Sequence, residues 1–208
     1  MPEHKLIHIP YGVDLASFRQ IRKEDKKFRI IHCGGISLRK GVHYLLQAFY
    51  ELNLPDSELW LIGAMSEEMR PILRRFDNGR VIHKGSYPQK ELYKYYSQGS
   101  LFVIMSIEEG LAVVEPQAMA CGLPVICTTN SGGGDIIRDG LDGFIIAIRD
   151  VKTLKEKLTY LYENRDICDA MGRSAKERVS RGFTWDDYGD RVIGAYKKCV
   201  GERNIITQ

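Results

Sequence analysis

The sequence predicts an α/β fold: a Rossmann-like doubly wound parallel sheet of about six strands with helices on both faces. Two observations carry this reading. Short, nearly continuous apolar runs of strand length alternate along the chain with segments whose apolar residues fall at helical spacing. The polar, glycine-bearing loops come directly after apolar runs, where the βα turns of a parallel sheet lie.

Taken in order, residues 1–27 open with the alternating stretch Lys5-Leu-Ile-His-Ile, break at Pro10-Tyr-Gly-Val-Asp14 and end in the charges Arg22 to Lys27. They read as a short strand and a connector leading in from another unit, so that residues 28–208 form the domain proper. Phe28 to Cys33 is the first core strand. A helix is expected from about Lys40 to Leu52, with Leu45, Leu46, Phe49 and Leu52 inward. Glu58 to Ile62 is the second strand, and Ser66 is placed to cap a helix whose inner face is Met69, Ile72, Leu73 and Phe76. Arg80 to His83 is the third strand, followed by a helix from about Gln89 to Ser97, whose tyrosines Tyr93, Tyr95 and Tyr96 suit packing. Ser100 to Met105, Pro124 to Cys127 and Gly143 to Ile148 complete the strands. Helices over Val151 to Glu163, Arg165 to Val179 and Trp185 to Cys199 close the chain, with Thr184 at a capping position.

Composition bounds the function. A chain of 208 residues, 44% hydrophobic, can bury a substantial core in one domain. Its 30 basic and 27 acidic residues leave a net charge of +3, too mild and too mixed to indicate nucleic acid or an anionic membrane surface. Five cysteines without a C-x-x-C pair, mostly inside apolar runs, suit buried thiols in a reducing compartment, and a cytoplasmic protein is expected. No apolar run approaches the length of a membrane span and the start does not read as a signal peptide, so membrane contact is left to any further domain.

Three loops would meet at the carboxyl edge of the sheet: Gly34-Gly-Ile-Ser-Leu-Arg-Lys-Gly41, Glu109-Gly-Leu-Ala112 and Ser131-Gly-Gly-Gly-Asp135. The first is neither a P-loop nor a full dinucleotide fingerprint. Gly34 and Gly35 let backbone approach a phosphate, while Arg39 and Lys40 place two cations at the next helix start. An ordinary βα turn with a solvated basic pair fits that loop taken alone. In the second loop Pro116 belongs in a first helical turn, which sets the helix start near Val113 and leaves the amides of Gly110, Leu111 and Ala112 free for an anion. The histidines form no triad, and His32, His43 and His83 read as packed or surface residues.

The order and spacing of four stretches resemble the group 1 glycosyltransferases, also called glycosyltransferase family four. These are Gly34 to Gly41 before Leu45-Leu-Gln-Ala-Phe49, the Glu109-Gly110 loop, Ala118-Met-Ala-Cys-Gly-Leu-Pro-Val125, and Gly140-Leu-Asp-Gly-Phe144. The resemblance covers nearly the whole chain and matches the carboxyl-terminal, nucleotide-sugar-binding domain of that family's two-domain GT-B fold. Pro10 to Asp14 and Phe183-Thr-Trp185 look like its interdomain connector and closing helix. It implies transfer of a sugar from a nucleotide diphosphate sugar to an acceptor, with retention and without a metal or other cofactor. The acceptor would sit on an amino-terminal domain, in cis or in trans. The chain alone would then bind nucleotide weakly and transfer nothing.

Residue by residue, the family's glutamate pair, separated by seven residues, falls on Glu109 and Gln117, so the second carboxylate is an amide here. By resemblance Glu109 faces the transferred sugar as the catalytic carboxylate, and Gln117 takes the donor ribose, which an amide can do because it both donates and accepts. Lys40 matches the family's phosphate lysine. The neighbouring arginine position holds Gly35, and Arg39 is the candidate to compensate. Asp135 aligns with an acidic position, and Gly85 with Tyr87 lies in the loop that meets the base, largely through backbone. Glu108 and Glu115 match no functional position and read as surface. The departures at Gly35 and Gln117 also fit a nucleotide-binding or regulatory module without catalysis, or a donor-site subunit serving a separate acceptor chain. Base, sugar, acceptor and oligomeric state are not encoded in these motifs.

Overall fold

The computed structural model describes the backbone of residues 6–205 and the side chains of residues 6–200. Its sheet has six strands, all parallel: β1 (Phe28–Cys33), β2 (Ser57–Ile62), β3 (Val81–Gly85), β4 (Leu101–Ile104), β5 (Val125–Thr128) and β6 (Gly143–Ile146). Their spatial order is β3-β2-β1-β4-β5-β6. The chain builds outward from β1 to β3, then returns to the centre and builds the other way from β4. The switch between β1 and β4 opens a crevice at the carboxyl ends of these two strands, where doubly wound sheets bind ligands.

Helices cover both faces because the central strands present apolar residues to both. On one face, Phe28, Ile30, Leu59, Leu61, Leu101 and Val103 pack with α1 (Val42–Leu52), α2 (Met69–Phe76) and α5 (Val151–Glu163). On the other, Ile31, Cys33, Phe102, Ile104, Val125 and Cys127 pack with α3 (Leu92–Tyr96), α4 (Val114–Ala120) and α6 (Arg165–Ser180). Alternate residues of β1 thus enter different cores, as the two-residue strand period requires. A final helix, α7 (Trp185–Ile205), follows α6.

The expected elements are all present except one, with shifted ends. The helix expected from Lys40 begins at Val42, because Gly41 in a left-handed conformation (φ 63°) turns the chain into it. A Cβ at Gly41 would collide with the carbonyl of Met105, so this close approach of the first loop to the end of β4 requires glycine. Ser66 does not cap α2. Residues 66–68 form a preceding turn, closed by Met69 N–H on the Ser66 carbonyl at 3.1 Å, and the Ser66 hydroxyl bonds the Glu68 carboxylate instead. The helix expected from Gln89 is a 3-10 turn, Gln89–Glu91, followed by the five-residue α3.

The missing element is the strand in the lead-in, of which Lys5 lies outside the described residues. Residues 6–10 adopt no regular structure, with Leu6 and Ile7 more than half exposed. Further on, Val13 and Phe18 are buried in the second core, and Val13 N–H bonds the Phe183 carbonyl at 2.8 Å, tying the lead-in to the start of α7. Thr184 caps α7 as expected. Its hydroxyl accepts from Asp187 N–H at 3.1 Å, and its own N–H donates to the Asp187 carboxylate at 2.8 Å.

Gly140-Leu-Asp-Gly-Phe144 acquires a structural role. Asp142 is fully buried between the turn before β6 and α6. It accepts a two-pronged bond from the Arg138 guanidinium, both contacts 2.8 Å, and a third from the Ser174 hydroxyl at 2.7 Å. These bonds outweigh burial and hold its carboxyl below the usual carboxylate range.

Candidate functional site

The first loop leaves β1 at Cys33 and the Glu109 loop leaves β4, so the switch point brings them together. Arg39 knits them: its carbonyl accepts from Ile107 N–H at 2.9 Å and its guanidinium donates to the Glu108 carbonyl at 3.0 Å. Lys40 and Glu109 meet as an ion pair at the crevice, their side chains 17% and 18% exposed. Together with Cys33, Gly34, Ile104, Leu111, Ala112, Val113 and Val114 they line a cavity of about 130 Å³. Removal from water disfavours the Lys40 ammonium, the neighbouring Arg39 adds to this, and Glu115 opposes it, so its pKa is lowered overall.

Gly110 and Leu111 reach the next space. With His8, Tyr11, Asp135, Tyr188 and others they line a cleft of about 490 Å³ between the lead-in, the site loops and α7. The Asp135 carboxylate lies 3.2 Å from His8 Nε2. The amides of Gly110 and Leu111 have no partner among the described residues, whereas Ala112 N–H is committed to the Ser131 carbonyl at 3.1 Å. The expected trio of free amides is therefore a pair, because the third serves to pin the glycine-rich loop to the start of α4. That helix begins at Val114 with Pro116 in its first turn, as expected, but runs for only 7 residues.

Other candidates lie apart from the ion pair. Gln117 is 6% exposed on α4, with its carbonyl oxygen accepting from the Tyr96 hydroxyl at 3.5 Å. Gly35 is exposed in the first loop. Gly85 ends β3, and its carbonyl accepts from Gly63 N–H at 2.8 Å. Tyr87 stacks on Tyr95 with ring centroids 4.2 Å apart. His32 is a packed residue, as expected: its Nδ1 lies 3.1 Å from the Val103 carbonyl, and burial pushes its pKa down to about 4, so it is neutral. His83 is exposed and His43 half-buried. Cys33, Cys121, Cys127 and Cys168 are buried and Cys199 is exposed, all as free thiols. Among the described residues no helix is long and apolar enough to cross a membrane.

Glu115 contradicts its expectation as a surface residue. It is fully buried, neither carboxyl oxygen has a hydrogen-bond partner among the described residues, and burial pushes its pKa up to about 8. The cause is the setting of α4, enclosed from Glu115 to Ala120 between the sheet, α6 and the glycine-rich loop. A signal was present in the sequence: Glu115 is the lone charge between Glu109 and Asp135.

The family model described as "Glycosyl transferases group 1" matches residues 14–178. The chain is 28% identical over 190 residues to the sulfoquinovosyl transferase of Arabidopsis thaliana, covering 84% of this chain and 36% of that protein. The C-terminal domain of a group 1 glycosyl transferase from Francisella tularensis superposes with a TM-score of 0.75 at 19% identity, covering 83% of this chain and 99% of that domain. HepE from Anabaena, solved with UDP-glucose, superposes with a TM-score of 0.81 at 18% identity, covering 91% of this chain and 57% of that one. These likenesses between structures show the fold. The chain spans about a third to a half of the length of the curated relatives it matches.

Proposed function

Since the chain belongs to the group 1 glycosyltransferases, we propose that it forms the donor half of an enzyme that moves a sugar from a nucleotide diphosphate sugar to an acceptor. The observation that carries this reading is the ion pair of Lys40 with Glu109 at the β1–β4 switch point. A cation and a carboxylate that neutralise each other at the crevice are the two charges a phosphate and a sugar would separate. Lys40 exchanges Glu109 for a phosphate oxygen, and the Gly110 and Leu111 amides take others. The released Glu109 accepts from sugar hydroxyls and stabilises the positive charge that develops at the anomeric carbon. Charge building on the departing diphosphate is met by Lys40 and the amides, so the proposed transfer proceeds without a metal, and with retention as the family resemblance implies.

Arg39 supports this geometry through the Glu108 carbonyl, at the place where Gly35 supplies no cation. Asp135, released from His8, completes the sugar side of the cleft. Gly85 and Tyr87 border the base. Gln117 serves the ribose if its amide gives up the Tyr96 hydroxyl, and its enclosure favours weaker ribose binding than a carboxylate would give. UDP-glucose in HepE supports the donor class.

The cavity at the ion pair is smaller than the roughly 300–1,000 Å³ of an enclosing ligand pocket. The remaining wall belongs, in this proposal, to an acceptor domain in cis or in trans. Leu6, Ile7, Tyr11, Trp185, Ile193, Tyr196 and Val200, all 44% exposed or more, supply the apolar surface on the lead-in and α7 for it. Calorimetric titration with UDP-, GDP- and ADP-sugars tests the donor reading. One base class should bind and Lys40→Ala should weaken it; binding of none by the complete enzyme contradicts the reading.

A further inference from the structure

Glu115 is unusual within its own helix. Every residue from Pro116 to Ala120 is apolar or an amide, and an apolar side chain would fill the Glu115 position without the desolvation cost that an unpartnered buried polar group carries. Its surroundings are those of the proposed donor site. A Cβ built on Gly133 would lie 2.9 Å from one Glu115 oxygen and 2.6 Å from the Cys127 sulfur, so the carboxyl packs directly beneath the glycine-rich loop and beside β5. Lys40 acts on it from the first loop, Ser131 and Asp135 from the third, and Glu109 stands across Lys40 from the β4 loop. Arg39 adjoins Lys40 behind, and His32 on β1 is neutral.

We infer that Glu115 is a positioning residue for the donor phosphate. Neutral, it fills the space beneath the Ser131–Gly133 turn and leaves Lys40 to the diphosphate; ionised, it draws Lys40 to itself and competes with the donor. The inference rests on the donor reading above. Burial is the largest influence on the carboxyl, Ser131 and Lys40 oppose it, and Asp135 adds to it, for a pKa of about 8. Rising pH therefore converts the binding-competent neutral form into the competing one. One pH unit above that pKa about one molecule in eleven remains neutral, and the apparent Kd rises about tenfold.

The test titrates wild type and Glu115→Gln with UDP-, GDP- and ADP-glucose, following whichever binds wild type most tightly, between about pH 6.5 and 9. Titration of Lys40 itself occurs in both proteins. The wild-type Kd should climb about tenfold more than that of the variant across this range. An equal climb in both overturns the role of Glu115 and leaves the donor reading standing. Failure of all three sugars to bind wild type at any pH overturns the donor reading and this inference with it. A second measurement needs no variant: infrared difference spectra of wild type, with and without donor at about pH 8, with glutamate carboxyls carbon-13 labelled. Donor that takes Lys40 away from Glu115 should add a protonated-carboxyl band, and no gain in that band overturns the proposal.

Discussion

Replacing Glu115 by glutamine should change the pH dependence of folding in a direction set mainly by burial, whatever the ligand. The unfolded carboxyl titrates near the ordinary glutamate value of 4.5, and the folded one is pushed up to about 8. Below 4.5 both states carry the proton and the residue adds no pH dependence. Between the two values the folded state holds a proton that the unfolded state has released, so wild-type stability falls as pH rises, by about 1.4 kcal/mol per pH unit. Above about 8 the loss levels off, at most about 5 kcal/mol relative to acid pH, an upper value because structural relaxation around the charge reduces it. Glutamine has no proton to lose. Urea unfolding of both proteins at several pH values between about 5 and 8.5, with equal m-values, isolates the effect, since most other titrating groups are shared. The stability difference, variant minus wild type, should grow steadily with pH by several kcal/mol. A difference that stays flat would refute the buried, neutral assignment of Glu115.

Three other substitutions separate site from scaffold. Lys40→Ala should weaken donor binding per folded molecule tenfold or more, the order expected for one charge-assisted phosphate contact, and should also lower the urea midpoint, because the largely enclosed Glu109 loses its partner; calorimetry and denaturation together check this. Gly41→Ala should fail to fold or lose well over the ~1–2 kcal/mol of a left-handed residue, because its Cβ would enter the Met105 carbonyl, and circular dichroism with thermal melting reads the outcome. Asp142→Ala strands the Arg138 fork and the Ser174 hydroxyl and should cost about 3 kcal/mol by urea unfolding, without altering donor affinity per folded molecule.

The sheet was readable because its central strands β1, β4 and β5 are buried on both faces, and such strands leave nearly uninterrupted apolar runs. β1 also buries Arg29 and His32, which the run tolerated because each finds internal partners: Glu58 and Asp25 for the arginine, the Val103 carbonyl for the histidine. Helix ends shifted where loop geometry prevailed over periodicity, as at Gly41 and Ser66. In the lead-in, alternation was an insufficient signal, since Leu6 to Pro10 pair with no strand. Sequence spacing brought Gly34, Lys40, Glu109, Leu111 and Ala112 to one cavity correctly, because the first two loops leave neighbouring central strands. It could not reveal that Lys40 and Glu109 hold each other, that the Ala112 amide is taken, or that α4 is enclosed on all sides. The ion pair depends on β1 and β4 lying side by side, and the other two on the third loop folding back over α4.

A crystal structure of the protein soaked with the nucleotide sugar that binds best tests the central claim most directly. The account predicts diphosphate oxygens within hydrogen-bond distance of Lys40 Nζ and the Gly110 and Leu111 amides, with Lys40 withdrawn from Glu109 and the sugar against the freed carboxylate. A donor bound elsewhere, with the Lys40–Glu109 pair intact, would contradict it.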